Sequence, residues 1–92
     1  MADIQTHQLL GQMRGMISHL RQAEMMNAQM AAQLASQEAA NVSALTGMNP
    51  ALAQKESQAA QLLNSFAQKE QYAAQQLSQL EQMLTTLESQ LH

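Results

Sequence analysis

Ninety-two residues suffice for one small domain with a modest core, a size at which oligomerisation or a covalent staple commonly supplies the missing stability. Cysteine is absent, which excludes disulfides and thiolate metal sites. The only cations, Arg14, Arg21, Lys55 and Lys69, leave a net charge of −3 and cannot form the basic stripe that a nucleic-acid backbone requires.

Gln and Ala make up about a third of the chain and the aromatics are limited to Phe66 and Tyr72, so good helix formers dominate and the expected class is all-α. No apolar run approaches the roughly 18 to 20 residues of a membrane span, and Met1-Ala2-Asp3 has neither the basic nor the apolar region of a signal peptide. The expected setting is the cytoplasm or an assembled particle, reached from the cytosol or through a dedicated export machine, with no membrane partner.

The first predicted element is a helix over about residues 3–46. Heptad position a reads Leu10, Ile17, Glu24, Ala31, Glu38 and Leu45, and position d reads Met13, Leu20, Asn27, Leu34 and Asn41. Its outer side is less polar than a lone hairpin partner would explain. Met16, Met25, Met26 and Met30 extend apolar surface beyond the seam, which makes them candidates for contact with a second molecule.

Residues 47–50 form the predicted turn. Gly47 suits a left-handed helix cap, Asn49 an N-cap and Pro50 the first helical position, so one helix ends and another begins here. The second helix is expected over about residues 50–91. Its a positions are Glu56, Leu63, Glu70, Leu77, Leu84 and Leu91, and its d positions are Leu52, Ala59, Phe66, Ala73, Leu80 and Leu87.

Position e of this arm runs Ala53, Ala60, Ala67 and Ala74 before Glu81 and Glu88, and position f is Gln from 54 to 82. An Ala column beside the seam lets another helix approach at the near end of the usual spacing of about 8 to 10 Å. The segment Ala53–Leu63 recurs as Ala67–Leu77, a period of two heptads. The fold expected from these patterns is an antiparallel helical hairpin, each arm on the order of 60 Å long at about 1.5 Å per residue.

Folding back at the turn matches residues whose numbers sum to 97, which sets every a position opposite a d position. Leu34 then meets Leu63, Leu20 meets Leu77, and small Ala31 meets bulky Phe66. The same rule sets Asn41 against Glu56 and Asn27 against Glu70, with Glu38 and Glu24 facing Ala59 and Ala73. Glu24, Asn27, Glu38, Asn41, Glu56 and Glu70 thus form two polar layers in an apolar seam. Their expected role is to fix register, because a slip would strand a polar group against leucine.

The segment Asn49-Pro50-Ala51-Leu52, followed by Gln68-Lys69-Glu70-Gln71-Tyr72-Ala73-Ala74, resembles the two-helix halves of ferritin-like proteins, of the encapsulated-ferritin and spore-coat type. That resemblance implies a four-helix bundle with a carboxylate metal site, for which Glu24, Glu38, Glu56 and Glu70 are the candidate ligands. The pattern departs from that family at its histidines. Ala73 follows Glu70 at the third place, and Asn27 and Asn41 follow Glu24 and Glu38, which leaves only hard ions as candidates. His19 falls at outer position c, and His7 and His92 lie near the termini.

No nucleophile with a placed base and no phosphate loop is present, so catalytic residues and cofactors are not expected. The expected function is structural: a hairpin that self-associates, as an antiparallel dimer forming a four-helix bundle or as the repeating unit of a filament, coat or virion. A two-fold axis near Ala31 and Phe66 would place both residues at the interface. The alternatives are a ferritin-like metal binder and an adaptor or chaperone that grips a protein partner through its Met-rich first helix.

Overall fold

A computed structural model describes residues 4–91; the expected helix start at Asp3 and the terminal His92 lie outside the described residues. Two helices, α1 (Ile4–Leu45) and α2 (Pro50–Gln90), pack against each other as an antiparallel hairpin, and no strand occurs among the described residues. No helix is long and apolar enough to cross a membrane among those residues.

The turn is built largely from its own backbone and two side chains. The N–H groups of Met48 and Asn49 both donate to the carbonyl of Leu45, at 2.9 and 2.7 Å, which satisfies the end of α1. Asn49 then caps α2: its Oδ1 accepts from the Leu52 N–H at 3.2 Å, and Pro50 follows where its missing N–H costs no hydrogen bond. One detail departs from expectation. No described glycine has a positive φ, so Gly47 closes α1 without a left-handed cap, the Leu45 carbonyl doing that work instead.

The hairpin is a rod with extents of 70 × 14 × 13 Å and a radius of gyration of 20.5 Å, against about 12 Å for a globule of this length. Its buried residues lie in two columns on each helix, and they are not the a and d columns. On α1 they are Leu10, Ile17 and Ala31 at position a and Ala28 and Ala35 at position e. On α2 they are Leu84 at position a and Ala53, Ala60, Ala67 and Ala74 at position e.

The seam is therefore a with e rather than a with d, each helix turned by about 50° from the expected orientation, half of the roughly 100° step between residues. The expected contact of Ala31 with Phe66 is corrected by the same observation. Ala31 is 4% exposed, in the seam, while Phe66 is 46% exposed, outside it. Turned this way, the Ala columns bring the backbones together, whereas bulky Phe66 and polar Asn27 and Asn41 at position d would hold them apart.

The seam changes character along its length. At the open end Leu10, Ile17 and Leu84 form one apolar cluster, with Leu77 and Leu91 packed against it. Toward the turn the buried side chains are all alanine, and nowhere among the described residues is a large side chain fully enclosed. Dispersion and apolar burial hold the open end, and close helix approach holds the rest.

Candidate interaction surface

At the open end the e positions change from alanine to charge on both helices, and the a/e seam turns them toward each other. Arg21 Nε donates to Glu81 Oε2 at 3.0 Å, and Arg14 Nη2 lies 2.7 Å from Glu88 Oε2. Each of these side chains keeps between about a quarter and a third of its surface in water, so each pair is worth about 0.2–1 kcal/mol. The pairs join the e columns of the two helices, and an antiparallel seam places these columns on the same flank whether it is closed by a with d or by a with e. Their sequence signal is the matched spacing of seven, Arg14 with Arg21 and Glu81 with Glu88, at the end where the Ala column stops.

The sequence-predicted polar layers are partly taken apart. Glu24, Glu38, Glu56 and Glu70 all remain at the seam, half-buried, because position a belongs to both the expected and the observed seam. Asn27 and Asn41, at position d, are exposed. Glu24 is bonded to Glu70 rather than facing Ala73 alone.

Two carboxyl groups share a hydrogen bond only if one keeps a proton. The bond to Glu70, then burial, then the charge of Glu70 raise the pKa of Glu24 above its ordinary value of 4.5. The sign of the pH effect follows. A carboxyl whose folded pKa is raised contributes stability that is fully present below its unfolded pKa and is lost as pH rises through the folded value.

Melting temperatures of the wild type and of Glu24→Gln, measured from about pH 4 to about pH 7, are expected to diverge in one direction. The wild type loses stability relative to the variant as pH rises, because an amide keeps donating to Glu70 when the carboxyl has lost its proton. The difference between the curves isolates this pair, because every other group is common to both proteins. Parallel curves would rule out the shared proton.

Among the described residues no three His, Asp or Glu side chains gather closely enough to hold a metal ion. Glu24 and Glu70 form a pair, and no third ligand joins them.

Turning the seam moves both d columns to one flank of the hairpin. A groove on that side is lined by Leu20, Glu24, Ala73, Gln76, Leu77 and Leu80, drawn from both helices. Along it Met13, Leu34, Leu52, Phe66 and Leu87 remain 40 to 46% exposed. The opposite groove is lined by Arg21, Met25, Gln71, Ala74, Gln75 and Ser78, and is more polar in residue type. The hairpin therefore has one apolar face and one mixed, largely polar face.

The four methionines expected at an interface, Met16, Met25, Met26 and Met30, divide between these sides. Met16 and Met30, at position g, extend the apolar face beside the d column, and both are exposed. Met25 lines the opposite groove, and Met26, at position c, points away from the seam. Ala31 is enclosed in the hairpin's own seam and is not available to a second molecule, a correction that follows from the same rotation. Phe66, expected inside the hairpin contact as well as near an interface, is left on the apolar face.

Compared with known proteins, residues 1–89 match the family model described as the YxeD coiled-coil domain. No curated protein and no solved structure matches the chain.

Proposed function

The chain belongs to the YxeD coiled-coil domain family, and from that premise we propose that it is a non-enzymatic structural protein, a helical hairpin that acts through helix–helix association with itself. Two antiparallel hairpins then form a four-helix bundle, the unit from which a larger assembly can be built.

The observation that carries this reading is the area the isolated hairpin leaves in water. Its accessible surface is 6806 Å², whereas a compact protein of 10.1 kDa exposes about 5,300 Å². The excess of roughly 1,500 Å² exceeds the about 800 Å² that each partner contributes to a standard-size protein interface. Low charge supports it further: with 12% charged residues, neighbouring copies repel one another weakly.

Sedimentation of the purified chain at tens of micromolar, on the order of 10–100 µM, tests the reading. The expected result is a mass at least double the 10.1 kDa of the chain, falling on dilution as mass action requires. A species that stays at 10.1 kDa throughout would remove it.

A further inference from the structure

We infer that the second copy docks on the face formed by the d and g columns of both helices, with the b and f columns turned to solvent. This rests on the self-association proposed above and specifies its surface. The inference stands on the rotated seam. Because each hairpin buries a and e within itself, the d columns of α1 and α2 come to lie side by side and open on either side of the Leu20–Leu80 groove, apolar except where Asn27 and Asn41 interrupt α1.

Three properties of the face select a second hairpin as its occupant. The first is shape. The apolar stripe runs along both helices, from Leu52 and Phe66 near the turn and middle to Leu80 and Leu87 at the open end, so a single helix would cover half its breadth while another hairpin covers all of it.

The second is area: extents of 70 and 14 Å give a footprint of about 1,000 Å², enough for the about 800 Å² per partner of a stable interface. The third is charge. The d and g columns hold no Asp or Glu among the described residues, and Lys55 and Lys69, both at g and exposed, are their only cations. Two such faces meet without Asp or Glu side chains of the d and g columns opposing one another, and the carboxyl groups of the groove floor, Glu24 among them, are already half-buried in the hairpin itself.

The Met-bearing surface of α1 is thereby split in function. Met16 and Met30 fall inside the contact, beside Leu20 and Leu34, while Met25 and Met26 fall outside it. Sedimentation equilibrium on the full chain reads this directly, using Phe66→Gln and Leu34→Gln on the proposed face and Met25→Gln on the other, with helicity followed by circular dichroism. Phe66→Gln and Leu34→Gln are each expected to raise the dimer dissociation constant by roughly tenfold or more, as truncation of a central apolar anchor does. Met25→Gln is expected to leave it within about threefold.

A wild-type chain that is monomeric throughout would overturn both the reading and this inference. A wild-type dimer that Met25→Gln dissociates and the face variants do not would overturn the inference and leave the reading standing. Loss of helicity in both face variants beyond that of wild type diluted to monomer would also overturn it, since it would place those side chains in the hairpin's own seam.

Discussion

Leu84→Ala is expected to lower the free energy of unfolding by about 2–4 kcal/mol, the cost of deleting a buried leucine and leaving a cavity behind. Leu84 is one of three large side chains that are buried among the described residues, and it packs in one cluster with Leu10 and Ile17. The alanine half of the seam contributes little transfer free energy per residue, so this cluster holds a large share of the apolar stabilisation. Urea unfolding followed by circular dichroism at fixed protein concentration measures the loss.

The comparison that gives the result meaning is Leu80→Ala, one turn earlier at position d, where the side chain is 42% exposed. Within the hairpin it is expected to cost about 1 kcal/mol or less, with any larger effect growing with protein concentration as a contact between copies would. If Leu80 were the more costly of the two at high dilution, the a/e seam would be refuted.

Ala67→Leu is expected to destabilise the hairpin by about 1–3 kcal/mol, because added methylenes in a close-packed seam force the helices apart or the side chain off its rotamer. Ala67 is 5% exposed and stands in the column with Ala53, Ala60 and Ala74. Leucine is nearly as good a helix former as alanine, so intrinsic propensity does not explain such a loss.

An a/d seam would have left position e beside the contact, where a leucine adds apolar cover. A neutral or stabilising Ala67→Leu, read from the same urea midpoints, would restore that arrangement. The variant also probes spacing, since Ala28 on α1 is only 2% exposed and equally unable to yield room.

Most of the fold was legible because its signals are local. The turn was written in Gly47-Met48-Asn49-Pro50, whose cap and helix start need only the four residues and the next turn of helix. The sustained heptads from Leu10 to Leu45 and from Glu56 to Leu91 specified two long helices for the same reason. The family match over residues 1–89 agrees with that coiled-coil architecture.

The candidate site was less legible. Heptad letters say which residues share a stripe, but a stripe flanked by apolar columns on both sides can face its partner by either one. On α2 position d carries Leu52, Phe66, Leu80 and Leu87, and by hydrophobicity alone it outranks the Ala column at e. The deciding term was steric, and it needs both helices at once. Alanines allow close approach only when they face another small surface, and the Arg14–Glu88 and Arg21–Glu81 pairs each join one helix to the other.

By itself, then, the sequence determined that two long helices form, where the chain reverses and that Glu24 and Glu70 sit at a seam, because position a is interior in either rotation. Only the tertiary structure decided which columns close the hairpin and which are left open. Helix formation depends on neighbours a few residues away, whereas the choice of face depends on how closely two backbones approach. Asn27, Asn41 and Phe66 moved from the expected core to the outside for that one reason.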